Sequence, residues 1–118
     1  MTLTLNRDSK LLRIFTGEAD KAGHQPLYEA IVFAAKESGI AGATVLRGIL
    51  SYGASSRIHT AKLVDLSFDL PIVVEIVDSA EKIEEFLETV DKLIEKAGCG
   101  ALVTIEKAEV IRYKAKMA

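Results

Sequence analysis

The chain has 118 residues, of which 49% are apolar and 27% charged, and this is enough for a folded domain with a hydrophobic core of its own. Its 15 basic and 17 acidic residues are mixed along the chain, and the net charge of −2 excludes the strongly basic surface that is typical of nucleic-acid-binding proteins. A single cysteine excludes an intramolecular disulfide, and no apolar run approaches the roughly 18 residues of a membrane-spanning helix. The N-terminal residues also lack the pattern of a signal peptide. We therefore expect a cytoplasmic protein that binds no nucleic acid and does not insert into a membrane.

The first half of the chain predicts two strands separated by a helix. Apolar residues on both faces of the segment 10–16 (KLLRIFT) predict a central strand. A polar stretch then ends at Pro26, which fits the first turn of a helix because the missing N–H of proline is not needed there. Apolar residues recur at helical spacing until Gly39, and we expect His24 to help cap this helix. The segment 43–50 (ATVLRGIL) is rich in β-branched and aliphatic residues and predicts the second strand.

The second half predicts the same kinds of element in the order strand, helix, strand. The segment 70–78 (LPIVVEIVD) predicts the third strand. Asp78 and Glu81 form a D-x-x-E capping box, which predicts that the second helix begins there. Apolar residues follow the helical repeat almost without a lapse until Gly98, which is expected to end the helix. The segment 101–113 predicts the last strand.

The resulting order, β-α-β-β-α-β, predicts an α+β fold of the ferredoxin-like kind. We expect residues 1–118 to form a single domain in which two helices cover one face of a four-stranded antiparallel sheet. The third strand is apolar on both sides, so the second face of the sheet should also be buried. Because the sequence predicts no further helix to cover it, we expect other subunits to do so, most simply in a closed ring.

Polar residues interrupt the apolar pattern in the segment RGILSYGASSRIHT, residues 47–60. Glycine permits close approach of the backbone to a ligand, serine hydroxyls donate hydrogen bonds, and a guanidinium or imidazole suits phosphate. The residues that we predict to bind a phosphate or ribose are Gly53, Ser55, Ser56, Arg57, His59 and Arg47. The alternative is a surface hairpin loop in which glycine and serine only form the turn.

The segment GEADKAGHQPLYE, residues 17–29, also carries polar side chains, among them Glu18 and Asp20. One interpretation is a second loop that lines the same cleft, with Tyr28 or Lys21 contacting the ligand. The other is a solvated connection that leads into the first helix. The residue types alone favour neither interpretation.

Catalysis and metal binding have weaker support. Ser56, His59 and Asp65 are residues of the kinds found in hydrolase triads, but YGASS is not a G-x-S-x-G nucleophile elbow, and we expect no enzyme activity. His24, His59 and Cys99 do not occur at a paired metal-ligand spacing, so we expect no metal site within one chain. Histidines of neighbouring subunits meeting at an interface remain the open alternative.

The segments GEADKAGHQPLYEAI, AGATVLRGILSYGASSRIHTAKL and LSFDLPIVVEIVD resemble the PII-like family known as domain of unknown function 190. The resemblance extends from about Leu11 to Tyr113, and the family is similar in fold to PII signalling proteins and to CutA trimers. It implies a homotrimer whose sheets face the threefold axis. Two features differ from PII proteins: the loop after the second strand is shorter, and KAGCGAL carries no lysine after its glycines.

By this resemblance, the chain would bind an adenine nucleotide in clefts between subunits, with AMP, ADP or ATP as the candidate ligand and no required cofactor. The loop from Tyr52 to Thr60 would change conformation with the ligand and control a partner, either a membrane protein or a cytosolic one. The basic residues Arg112, Lys114 and Lys116 would approach a phosphate from across a subunit boundary. The alternative that the resemblance leaves open is a CutA-like structural or metal-binding trimer.

Overall fold

The computed structural model describes residues 8–53, 59–60 and 70–116. In chain order the elements are β1 (Ser9–Gly17), β2 (Lys21–Ala22), β3 (Gln25–Pro26), α1 (Leu27–Glu37), β4 (Thr44–Arg47), β5 (Leu50–Ser51), β6 (His59–Thr60), β7 (Pro71–Ser79), α2 (Ala80–Ala97) and β8 (Leu102–Ala108). The four longer strands form one sheet in the order β4-β7-β1-β8, and every neighbouring pair is antiparallel. The predicted α+β, ferredoxin-like fold is confirmed.

The hydrophobic core lies between the two helices and one face of this sheet. Alternate residues of β1 and β7 point toward the helices, because successive side chains of a strand point to opposite faces. Each helix contributes a stripe of apolar residues at helical spacing. The core consists mainly of Leu12, Ile14, Leu27, Ile31, Ile72, Val74, Ile76, Ile83, Phe86 and Val90.

Both helices begin differently from the sequence prediction. The N-cap of α2 is Ser79, whose hydroxyl accepts a hydrogen bond from the backbone N–H of Lys82 at 3.3 Å. Asp78, predicted as the cap, is instead buried at the end of β7, and its carboxylate accepts a hydrogen bond from the N–H of Ala41 at 2.8 Å. The predicted capping role of His24 is also wrong, since α1 has Pro26 as its N-cap and no side-chain cap.

The predicted strand 43–50 is divided at Gly48 into β4 and β5. The N–H of Gly48 donates to the carbonyl of Pro71 at 2.8 Å, so the backbone of β4 remains held by β7 at this point. The ring of Pro71 lies so close that a Cβ atom on residue 48 would stand 2.6 Å from the proline Cγ. A glycine is therefore required where the chain leaves the sheet, and the polar loop begins just beyond it.

In the described parts of the chain, no helix covers the sheet face opposite α1 and α2. One row of paired residues crosses all four strands and is entirely apolar: Leu46, Val73, Phe15 and Leu102. Leu46 is 48% exposed and Leu102 is 57% exposed. The next row is polar and centres on Arg13, whose Nε donates to Glu75 at 2.9 Å and whose Nη1 donates to Glu106. These hydrogen bonds to Glu75 and Glu106 raise the pKa of the Arg13 guanidinium.

We expect Gly48→Ala to lower the free energy of unfolding by about 1–3 kcal/mol, since the added methyl group cannot fit beside Pro71 without moving the strands. Urea denaturation followed by circular dichroism measures the change. Gly100→Ala is the matched control, because a Cβ at that position has no atom within 4 Å. Equal stability of the two variants would contradict the close approach of Pro71 and Gly48.

Candidate functional site

Three strand ends meet at one end of the sheet. There β1 ends at Gly17, β4 ends at Arg47, and β7 begins at Pro71. The residues just outside the strands continue the pairing, because the N–H of Glu18 donates to the carbonyl of Leu70 at 2.8 Å. The segments 17–29 and 47–60 therefore begin at the same end of the sheet, although they are separate in the sequence.

Glu18 and Arg47 form an ion pair at this end, in which Nη2 of Arg47 donates to Oε2 of Glu18. The side chain of Arg47 is 60% exposed and that of Glu18 is 27% exposed. Arg47 is paired in register with Ile72, which belongs to the core, so its side chain emerges on the helix-covered side of the sheet. A guanidinium carries five N–H donors in a planar fork, which suits an exposed one to binding phosphate as well as carboxylate.

A buried hydroxyl lies in the same register row. Thr16 pairs with Ile72 on one strand, and Ile72 pairs with Arg47 on the next. Thr16 is only 7% exposed, and its Oγ1 has no hydrogen-bond partner within the described parts of the chain. The sequence analysis missed Thr16, because it reads as an ordinary strand residue and only the register brings it beside this end of the sheet.

The segment 17–29 divides into structural and exposed residues. Asp20 closes a turn: its carboxylate accepts from the N–H of Gly17 at 2.7 Å, and its own carbonyl accepts from the N–H of Leu27 at 2.8 Å. Tyr28 is half-buried and packs against the core. Lys21 is exposed in β2. Of these residues, Glu18 is the one that the structure connects directly to the predicted binding segment.

The segment 47–60 leaves the sheet as a short antiparallel ribbon. Leu50 pairs with Thr60, and Ser51 pairs with His59. Gly53 is exposed beyond the ribbon and has open space where a Cβ would stand. Ser55, Ser56 and Arg57 lie outside the described residues, as does Asp65. The ligand-binding roles of Gly53, Ser55, Ser56, Arg57, His59, Arg47 and Tyr28 stay predictions.

Large apolar side chains lie in and next to the first strand of this ribbon. Ile49 is 74% exposed and Tyr52 is 72% exposed, and Leu50 is exposed as well. Three exposed large apolar residues this close together are more than a turn needs, and they follow Arg47 closely in the chain. This end of the sheet therefore offers both an apolar and a cationic surface.

The C-terminal basic residues lie at the opposite end of the sheet. The hydroxyl of Tyr113 donates to the carbonyl of Ala41, which places the segment beside Asp78 at the far end of β7. Asp78 lies six positions along β7 from Ile72, the register partner of Arg47, and at about 3.3 Å per residue this is roughly 20 Å. Arg112 and Arg47 of one chain are therefore too far apart to hold the same phosphate.

The two cavities lined by described residues lie away from this end of the sheet. Two cavities of about 140 Å³ and 280 Å³ adjoin the C-terminal end of α1, and none of the predicted site residues lines them. In residues 8–53, 59–60 and 70–116, no group of three or more His, Cys, Asp or Glu side chains is placed to hold a metal ion. Across the same described ranges, neither helix combines the length and hydrophobicity needed to cross a membrane.

The solved structures that share this fold include a PII-like protein and a CutA protein. The CPII protein of Thiomonas intermedia K12, a nitrogen regulatory PII-like protein solved with ADP, AMP and bicarbonate, matches with a TM-score of 0.66 and 19% identity over 88% of this chain and 89% of its own. The divalent ion tolerance protein CutA1 of Ehrlichia chaffeensis matches with a TM-score of 0.57 and 12% identity over 95% of this chain and 88% of its own.

The sequence itself matches a protein family and a curated relative. The family model DUF190, described as "Uncharacterized ACR, COG1993", matches residues 9–110. A UPF0166 protein of Aquifex aeolicus is 45% identical over 102 residues, which cover 86% of this chain and 92% of the relative. The chain therefore belongs to the DUF190 family, and its fold is that of the PII-like proteins.

Proposed function

We propose that this protein is a PII-like regulator that binds an adenine nucleotide in clefts between subunits of a homotrimer. The ligand changes the conformation of the segment 52–60, and this segment controls a partner protein. The observation that carries the proposal is the exposed guanidinium of Arg47 at the root of that segment, on a backbone that β7 holds in place. The bound ADP and AMP of CPII, which shares the fold, support an adenine nucleotide as the ligand.

The chemistry of the segment supports a phosphate as the recognised group. Arg47 supplies a positive charge where the segment leaves the sheet, and Ser55, Ser56 and Arg57 add hydroxyl and guanidinium donors further along. His59 follows in β6, and its backbone pairs with Ser51. The segment thus carries hydroxyl, guanidinium and imidazole donors, which are groups suited to binding an anion. We propose binding and regulation, with no catalytic step.

The uncovered sheet face supports assembly. Its apolar row extends from Leu46 on one edge strand to Leu102 on the other, and contact with other copies would remove it from water. In a closed symmetric ring, neighbouring subunits bury such a face on every subunit. The resemblance to PII proteins and CutA implies that the ring is a trimer. In such a ring, Arg112 of one subunit would reach the Arg47 end of another.

The second candidate function is a structural or metal-binding trimer of the CutA kind. It is favoured by the structural match to CutA1, which concerns the fold and not the loop. The two candidates differ in the role of the segment 52–60. Divalent-metal binding that survives substitution of Ser55 and Ser56 would favour the CutA-like function, and nucleotide binding that depends on them would favour the regulator.

For the regulator we expect one of AMP, ADP, ATP and cyclic AMP to bind saturably in calorimetric titration of protein stripped of carried-over ligand. The Ser55→Ala/Ser56→Ala double variant should lose at least about tenfold in affinity, because hydrogen bonds to a charged phosphate contribute about 1.5–3 kcal/mol each. Ser38→Ala, an exposed serine at the end of α1, is the matched control and should bind as the wild type does. Absence of heat with all four nucleotides would contradict the proposal, and an unchanged double variant would contradict the role of the serines.

For the assembly we expect Leu102→Glu to shift the protein toward smaller species in analytical ultracentrifugation. A buried leucine contributes about 1.5–3 kcal/mol, so each subunit contact should weaken at least about tenfold. Phe33→Glu is the matched control, because Phe33 is a similarly exposed apolar residue, 52% exposed, but lies on α1. A wild type that sediments as a monomer, or equal dissociation of both variants, would refute assembly through the sheet face.

A further inference from the structure

Glu18 and Arg47 belong to segments that are not neighbours in the sheet. Arg47 ends β4, Glu18 follows β1, and β7 lies between these two strands. Their side chains therefore meet across the start of β7, at Leu70 and Pro71, where the chain returns to the sheet. The ion pair therefore bridges the ends of β4 and β1 at the point where the segment 48–70 rejoins the sheet.

Hydrogen bonds to the start of β7 hold the backbone on both sides of this ion pair. The N–H of Glu18 donates to the carbonyl of Leu70, and the N–H of Gly48 donates to the carbonyl of Pro71, each at 2.8 Å. Only the two side chains can change partners without breaking the sheet. An ion pair between an exposed arginine and a partly exposed glutamate is weak, because water and salt screen both charges. A multiply charged phosphate is therefore a strong competitor for the guanidinium.

We propose that Glu18 occupies the anion subsite of Arg47 in the ligand-free protein, and that the phosphate of the ligand displaces it. This inference rests on the proposed function and names the regulation of that same site. Glu18 is then an internal competitor: its carboxylate imitates the ligand and sets how much anion is needed to bind.

The buried hydroxyl of Thr16 gives independent support. It lies in the register row of Arg47 and Ile72, two residues before Glu18, and its Oγ1 has no hydrogen-bond partner within the described residues. A buried hydroxyl without a partner is costly in a folded protein unless something else satisfies it. A phosphate held by Arg47 would bring acceptor oxygens to this end of the sheet.

Displacement also gives the ligand a way to act on the loop. While Glu18 is paired with Arg47, the ion pair bridges the two strand ends where the segment 48–70 rejoins the sheet. When a phosphate binds Arg47, the ion pair breaks, and the first residues of that segment lose one of the contacts that hold them. A ligand shifts a conformational equilibrium only through contacts that differ between its states, and the change of partner at Arg47 is such a contact.

The test is calorimetric titration with AMP, ADP and ATP, at one fixed salt concentration, of the wild type and four variants. Glu18→Gln removes the competing charge and should tighten nucleotide binding about 1.5- to 5-fold, the range expected for loss of an exposed ion pair. Glu84→Gln is the matched control, because Glu84 also pairs with a basic residue, Lys10, at 2.9 Å, and the variant carries the same change in net charge. Arg47→Gln and the double variant Glu18→Gln/Arg47→Gln complete a thermodynamic cycle.

Support consists of tighter binding by Glu18→Gln, no change in Glu84→Gln, and loss of the gain when Arg47 is also replaced. Binding by Glu18→Gln alone, with none by the wild type, also supports the competitor role. Nucleotide binding by the wild type with an equal or weaker affinity in Glu18→Gln overturns this inference and leaves the proposed function standing. If no variant binds any of the three nucleotides, even without the competitor, the inference and the proposed function both fail.

Discussion

Leu70 and Pro71 hold together the end of the molecule on which the candidate site depends. Their two carbonyl groups accept the N–H groups of Glu18 and Gly48, so the exit of β1 and the exit of β4 are both tied to the start of β7. Leu70 is buried, which excludes water from competing for these hydrogen bonds. The guanidinium of Arg47 and the carboxylate of Glu18 project from backbones that this short segment positions. The polar segment 47–60 thus begins from a rigid base, and functional loops commonly rely on such a base.

The sheet has two faces with different roles, and the alternation of the strands creates both. Leu12 and Ile14 of β1 point to the helices, while Phe15 points to the uncovered face beside Val73 of β7. A strand that buried only one side would carry polar residues at every second position, as soluble antiparallel sheets do. The polar exceptions on the uncovered face are concentrated around Arg13, which is neutralised by Glu75 and Glu106. An arginine paired with two carboxylates has its charge balanced and adds directional contacts to an otherwise apolar surface.

The sequence predicted those parts of the fold that local patterns determine. The strand predicted at 70–78 is β7, and the helix ending at Gly98 is α2, because long periodic segments and a left-handed glycine are local signals. The errors arose where tertiary contacts decide. Asp78 satisfies a helix-cap pattern, yet its carboxylate bonds the N–H of Ala41, a residue 37 positions away. The split of the second strand at Gly48 depends on the ring of Pro71, which no pattern in residues 43–50 reveals.

The candidate site was less predictable than the fold for the same reason. Arg47 and Glu18 are 29 residues apart, and nothing in either segment indicates that they meet. Their contact follows from the strand order, which places β7 between β4 and β1 and leaves only side chains to bridge it. The residue types predict Arg47 as a phosphate ligand, but its intramolecular partner Glu18 emerges only from the topology. That partner matters for the regulation we propose, because a cation without an internal partner gains contacts on binding but releases none. Arg47 has a carboxylate to release. In the mechanism we propose, binding of an anion to its guanidinium is therefore linked to the loss of the ion pair with Glu18 at the start of the loop.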